Sequence, residues 1–275
     1  MPKNLYPNFL HPITGQWGQD HSSVGALGDS FYEYLLKEWL RSGKADGLSK
    51  KMFDEAVFGI EQKLLQYSSQ GQTYLADWRG GMLDHKMDHL ACFAGGMFGL
   101  AASHEDDEVS RVRWMNIAEG ITKTCHESYE SSFTKLGPEV IRFNGFFRPV
   151  DRSYLLRPEA VESFFVMWRI TKDQKYREWG WKVVQALELN CKVEAGYSGI
   201  RNVNILKSTD DVQQSFFLAE TLKYLYLLFS DDNLIDLNQW VFNTEAHPLP
   251  VKGFNPLYRA HGTNAGSLKT VHLEL

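Results

Sequence analysis

Apolar side chains return at helical spacing in paired runs along this chain. The first run starts near Ser22–Ser30 and puts Phe31, Tyr34, Leu35 and Trp39 on one 3.6-residue face. A Ser-Gly-Lys-Ala-Asp-Gly turn ends it, and a second helix is expected over about Leu48–Tyr67. TYLADWRGGMLDHKM follows, two short extended stretches around a Gly-Gly turn, which predicts a β-hairpin. The helical pattern then resumes with a short apolar run over Asp88–Leu100 and a longer amphipathic one over Glu105–Tyr129. LGPEVIRFNGFFRPVDRSYL reads as an irregular or hairpin insert. Helices are expected again at about Pro158–Ile170 and Asp173–Leu189 and, after the loop GYSGIRNVNILKSTDD, at about Val212–Phe229. Residues 1–22 and 231–275 read as irregular.

The unit is therefore helix, short turn, helix, long decorated loop, recurring without a clear sequence repeat. An amphipathic helix must bury its stripe on a neighbour. The long loops fall at one end each time, which favours an all-α toroid or solenoid of helical hairpins with one functional face. Residues 1–275 read as one domain, with the Pro-rich segment after Pro248 as the only candidate hinge.

With 43% hydrophobic residues in 275, the chain is long and apolar enough to bury a sizeable core. A net charge of -5 without a basic block excludes nucleic acid as the expected partner. No run of 18 apolar residues is present, so no membrane span is expected within this chain. Its first residues lack a signal-peptide pattern, so any secretory address is expected outside it. Abundant aromatics and carboxylates suit a carbohydrate surface and a helical core equally. The three cysteines fit one disulfide plus a thiol, or three thiols.

Four stretches put charge where a long loop meets a helix. In LGDSFYEYLL, Asp29 fits either an N-cap or a rigid carboxylate at a helix mouth, with Tyr32, Glu33 and Tyr34 around it. In DHKMDHLACF, His85 and His89 have the spacing of a metal pair, but the turn signals place His85 before the helix. A hydrogen-bonding or packed His89 is the better reading. In LLRPEAVESFF, Pro158 suits the first helical turn, where Glu159 meets free N–H groups and Glu162 follows three residues later. Ordinary acidic decoration explains this, but Phe164 and Phe165 imply burial just downstream, and Arg157 is placed to pair with the acids. In QQSFFLAETLKYLYLLFS, Glu220 interrupts an apolar run one turn after Phe216. A buried lone carboxylate is costly. Either a salt bridge to Lys223 or a functional role accounts for it. Several carboxylates beside a ring that can stack on sugar suit glycoside hydrolysis.

These stretches resemble the class I α-1,2-mannosidases, glycoside hydrolase family 47, closest to the Golgi-type mannosyl-oligosaccharide enzymes. The segments are LYPNFLHPITGQWGQDHSSVGALGDSFYEYLLKEWL, MDHLACFAGGMF, LGPEVIRFN, LLRPEAVESFF, SFFLAETLKYLYLLFS and VFNTEAHPLP, which span residues 5–250. The resemblance implies an (αα)7 toroid with short β-hairpins in its long loops, and calcium-dependent hydrolysis of terminal α-1,2-linked mannose from high-mannose N-glycans with inversion. By motif, Asp29 matches a catalytic aspartate, Glu159 the base and Glu139 a further acidic position sometimes assigned as proton donor. Arg157, Glu162, Phe216, Glu220 and His89 match pocket residues. Thr244 matches the direct protein ligand of Ca2+, and Glu245 would support the water shell. Cys92 and Cys125 match the family disulfide, which implies an oxidising lumen, most simply the Golgi, with any membrane anchor outside this chain. Leu27 matches the position that is arginine in the endoplasmic-reticulum enzyme and leucine in Golgi-type relatives, so Golgi-like trimming of several mannoses is implied.

The resemblance also implies that about half of the ring's helices lie here, as the C-terminal portion of a catalytic domain. A further catalytic glutamate belongs to the part not matched. Weak or no turnover by this chain alone is expected, and the missing N-terminal part is a candidate partner. The alternative is a non-catalytic or weakly active high-mannose glycan-binding protein, related to degradation-enhancing mannosidase-like proteins.

Overall fold

The computed structural model describes residues 2–143 and 147–259. Among these are seven α-helices: α1 (Asp29–Arg41), α2 (Gly47–Lys63), α3 (Phe93–Ser103), α4 (Glu108–Glu130), α5 (Glu159–Thr171), α6 (Lys175–Asn190) and α7 (Lys223–Phe229). α1, α3, α5 and α7 stand in a row, each packed on the next, while α2, α4 and α6 pack behind them. This is the alternation that the paired apolar runs predict.

α3 is the middle of the wall, and its sequence FAGGMFGLAAS shows why. Every residue from Phe93 to Ala102 is buried, so a helix apolar all round is what the position requires. A Cβ at Gly95 would lie 2.2 Å from Thr122 Oγ1 of α4, so glycine is what lets the two helices close. The Cys92–Cys125 disulfide, implied by the resemblance, ties the residue just before α3 to α4. Cys191 is a buried free thiol.

Several element boundaries differ from expectation. α2 stops at Lys63 rather than Tyr67, because Leu65–Tyr67 pairs antiparallel with Thr73–Leu75 as an extra hairpin. Of the hairpin expected over TYLADWRGGMLDHKM, Asp77–Arg79 and Met82–Asp84 pair around Gly80 and Gly81, both at positive φ, His21–Ser22 adds a third strand, and Thr73–Leu75 pairs instead with Leu65–Tyr67. The last helical run starts near residue 215 and passes through wide π turns at Phe217–Leu222 before α7, so Glu220 lies in the π segment. The insert after Leu136 contains the strands Val140–Arg142 and Arg148–Asp151; residues 144–146 between them lie outside the described residues.

The largest departure is in the segment read as irregular. Trp240–Phe242 pairs with Pro248–Pro250 in a hairpin, and Val241, Phe242 and Ala246 are buried. Its two prolines sit on a strand with a single partner, where a missing N–H is tolerated. Phe242 packs edge-on against Phe165 of α5 and against Tyr224 of α7. The expected hinge after Pro248 is instead anchored. Val251 is buried, and the Lys252 N–H donates to the Arg41 carbonyl at 2.9 Å. Residues 260–275 of the irregular tail lie outside the described residues.

Candidate active site

The N-terminal ends of α1 and α5, the short 3-10 helix His89–Cys92 and the start of the last helical run bring the carboxylates together. The loop VGALGDS places Asp29. A Cβ at Gly25 would lie 2.1 Å from Asp88 Oδ1, so glycine admits the Asp88 side chain. Asp88 then accepts the Ala26 N–H at 3.3 Å and the Ala91 N–H at 3.1 Å, which ties the loop to the 3-10 helix. Asp29 is the first residue of α1, and its carboxylate accepts the Ser30 N–H at 2.7 Å. Burial raises its pKa, the Ser30 N–H opposes this, and the Asp88, Glu33 and Glu159 carboxylates add to the rise. These raising effects outweigh the anionic bias of a helix end.

Glu159 opens α5 and is held from two sides. His89 Nδ1 lies 2.7 Å from its Oε2, and Arg157 Nη1 lies 3.8 Å from its Oε1. Arg157 Nε donates to both oxygens of Glu139, at 2.9 and 2.8 Å, and its guanidinium stands 5.7 Å from the centre of the Phe216 ring. Burial raises the Glu139 pKa, with His89 and Arg157 pulling against it. Thus Glu139, Arg157, Glu159, His89 and Phe216 form one contiguous group. His85 is elsewhere, bonded to the Tyr74 hydroxyl at 2.8 Å, so the two histidines are no metal pair.

Glu162, three residues into α5, is buried beside Lys37 of α1, at 3.8 Å. Lys37 also pairs with Glu33 one turn earlier. Burial pushes the Glu162 carboxyl up to about 8, although Lys37 opposes the shift. Burial also pushes Glu220 to about 8, with the Glu159, Glu245 and Glu33 carboxylates adding to it. The salt bridge from Lys223 to Glu220 is not what the lysine makes; its ammonium donates to the Ala246 carbonyl at 2.8 Å.

That bond holds the tip of the Trp240–Pro250 hairpin near Glu220. Asn243 Oδ1 shapes the tip by accepting the Glu245 and His247 N–H groups, at 3.0 and 2.8 Å. Thr244 is exposed on it, its N–H donating to the Tyr34 hydroxyl of α1 at 3.2 Å. Leu27 is 66% exposed, at φ +73, two residues before Asp29. Among the described residues, no three His, Cys, Asp or Glu side chains converge closely enough to hold a metal directly. No described helix is long and apolar enough to cross a membrane.

A family model described as "Glycosyl hydrolase family 47" matches residues 1–251. The chain belongs to that family. It is 56% identical over 264 residues to the Drosophila melanogaster "Mannosyl-oligosaccharide alpha-1,2-mannosidase IA", a match covering 94% of this chain and 39% of the relative. With the Homo sapiens "Mannosyl-oligosaccharide 1,2-alpha-mannosidase IC" it shares 57% over 267 residues, covering 95% and 42%. The fold matches the solved "alpha-1,2-mannosidase from Trichoderma reesei" with TM-score 0.85 and 26% identity, covering 91% of this chain and 57% of that one. The chain thus spans about two fifths of the length of these two sequence relatives. Its seven helices are part of the (αα)7 toroid of family 47.

Sequence reasoning left Lys37, Tyr129 and Tyr154 of this family-47 chain unremarked. Lys37 lies four residues after Glu33, a spacing that ordinarily marks a solvated ion pair. Tyr129 and Tyr154 sit near element ends without any periodic signal. All three are buried and reach the group around Glu159 and Glu162.

Proposed function

We propose that this chain carries the mannose pocket of a calcium-dependent α-1,2-mannosidase. The enzyme would trim terminal α-1,2-linked mannose from high-mannose N-glycans, with inversion, in the Golgi lumen. The observation that carries the reading is the convergence of Asp29, Glu159, Glu162 and Glu220 around one helix mouth, in a chain of this family. Buried carboxylates at that density need cationic or hydroxylic partners, and among the described residues Arg157, Lys37 and His89 stand beside them.

Calcium fits the donors present. Burial pushes Glu220 to about 8 and the Glu159, Glu245 and Glu33 carboxylates add to the rise, a crowding of acids that a divalent cation would relieve. Thr244 would hold the ion through its hydroxyl and carbonyl oxygens, with Glu220 and Glu245 supporting a shell of water and sugar hydroxyls. When bound, the ion would grip sugar hydroxyls and orient a water.

The chain's own residues do the rest. Glu159 takes the proton from the attacking water. His89 and Arg157 fix the carboxylate, and Phe216, steadied against Arg157, offers a face for the sugar ring. Asp29 and Glu139 are candidate proton donors, since burial favours the protonated form of each. Leu27, at the rim, leaves room for more than one branch.

High-mannose glycan offered to the chain with calcium, and again with a chelator, tests this. The expected outcome is calcium-dependent capture with slow release of mannose, first as the β-anomer. Binding without any release, by this chain and also after the missing N-terminal part is added back, would support a glycan-binding protein instead. Neither binding nor release would reject both. A digest that halts after one mannose would contradict the role given to Leu27.

A further inference from the structure

Asp88 links the helix mouth that carries Asp29 to the one that carries Glu159. On the α1 side, the loop before Asp29 folds round the Gly25 carbonyl, which accepts the Gly28 and Asp29 N–H groups at 3.2 and 2.9 Å. Asp88 Oδ2 accepts the Ala26 N–H of that loop at 3.3 Å, and the carboxylate fills the space that a side chain at residue 25 would need. On the α5 side, Asp88 Oδ1 accepts the Ala91 N–H at 3.1 Å and so caps the 3-10 helix His89–Cys92. That helix is fastened to α5 by its two end residues. His89 Nδ1 lies 2.7 Å from Glu159 Oε2, and the Ser163 hydroxyl donates to the Cys92 carbonyl at 2.5 Å.

The Asp88 carboxylate therefore has one oxygen on each mouth. Asn8 grips the loop too, accepting the Ser23 N–H at 3.1 Å and donating to the Ala26 carbonyl at 3.3 Å. Asn8 belongs to the segment that leads into the loop, so its grip shapes the loop without referring it to α5. We propose that Asp88 is a positioning residue that sets the separation of the Asp29 and Glu159 carboxylates.

The side chain suits the role. Two acceptor oxygens on a short stem meet both N–H groups, whereas an asparagine offers one acceptor oxygen. Lys86 stands by as the counter-charge, its ammonium 2.8 Å from Asp77 and 3.9 Å from Asp88. Burial raises the Asp88 pKa and Asp77 adds to the rise, while Lys86 and the Ala26 and Ala91 N–H groups oppose it. Glycoside hydrolysis depends on how far apart its two carboxyl groups stand. A misplacement of about 1 Å can cost ~100-fold in rate. That consequence rests on the catalytic roles proposed for Asp29 and Glu159; the spacing itself does not.

The test is carbon NMR titration of the Asp29 carboxyl in the full chain labelled with 13C-aspartate. Glu159→Gln should lower the Asp29 midpoint in the native background, because it removes a carboxylate that raises it. In Asp88→Ala, and in Gly25→Ala, whose methyl group takes the place of the Asp88 carboxylate, that drop should shrink to about half or less as the loop is released. A drop of native size in either variant would overturn the inference, and so would the absence of any drop in the native background. If neither variant folds, Asp88→Asn decides by hydrogen exchange. It keeps the shape and one acceptor, so exchange should speed by about tenfold or more at the Ala26 or the Ala91 amide. Unchanged protection of both amides would overturn the inference. Glycan is absent from every arm. A failure here leaves the proposed function standing, and a chain that neither binds nor cleaves glycan leaves this result standing.

Discussion

The Lys37 ammonium lies 3.8 Å from the Glu162 carboxylate, which joins the middle of α1 to the first turn of α5 beneath the site. Lys37 bonds Glu33 as well, and both carboxylates are buried. Burial alone would lower the lysine's pKa, but Glu33 and Glu162 raise it, so the ammonium is kept charged. Removing it leaves the buried Glu33 carboxylate without its cation and takes from Glu162 the charge that opposes its raised pKa. Lys37→Met is expected to cost about 3–5 kcal/mol of stability in urea unfolding. Adding Glu162→Gln to that variant should recover part of the loss. A Lys37→Met protein as stable as the native one would show that the buried triad is not compensated by this lysine.

The high carboxyl pKa values give the protein a distinctive pH response. Glu162 and Glu220 titrate at about 8 in the folded chain, against an ordinary value of 4.5. Between those values the folded state holds protons that the unfolded chain has released. Stability from these groups is therefore fully present at the acid end and is lost as pH rises through the folded pKa. In chelator-treated protein the melting temperature should fall from about pH 5 to about pH 8, with a shallower fall in the Glu162→Gln, Glu220→Gln double variant. Calcium should raise the melting temperature more at the upper pH, where it meets ionised carboxylates. A melting temperature that climbs over this range, equally in both proteins, would contradict the assignment.

Much of the wall was legible because α1, α4, α5 and α6 repeat apolar residues with a helical period, and α1, α4 and α5 are flanked by Gly, Asp or Pro. Glu159, Glu162 and Glu220 were legible as charges misplaced at buried helix starts. The hairpin at Trp240–Pro250 was not, because its prolines read as breakers and its burial depends on Phe165 and Tyr224 from distant helices. Thr244 gave no signal of its own, since one hydroxyl in a turn is ordinary. Lys37 and Tyr129 were hidden for a related reason: spacing shows which face a residue shares, not what covers that face.

Arg157 holds Glu139 with Nε while stacking near Phe216, a planar arrangement that an ammonium cannot reproduce. Arg157→Lys is expected to weaken mannose binding tenfold or more, in line with ~1.5–3 kcal/mol for a hydrogen bond to a charged group. Calorimetry on the folded variant measures this. Unchanged affinity would remove Arg157 from the pocket.

The Cys92–Cys125 bond spans 33 residues between the 3-10 helix and α4. A loop of that length corresponds to about 3–4 kcal/mol in the chain-entropy model. Replacing both cysteines with alanine should lower stability by an amount of that order in denaturant unfolding. Peptide mapping without reduction should show Cys92 joined to Cys125 and Cys191 unmodified. Unpaired Cys92 and Cys125 would contradict the fold described.

The most direct measurement of the calcium-dependent mannose pocket is calorimetric titration of the chain with α-1,2-linked mannobiose, with calcium and with a chelator. The expected result is saturable binding with calcium, weakened at least tenfold by chelation and by Thr244→Ala. Binding that is indifferent to calcium, or none under either condition, would contradict the assignment of this site.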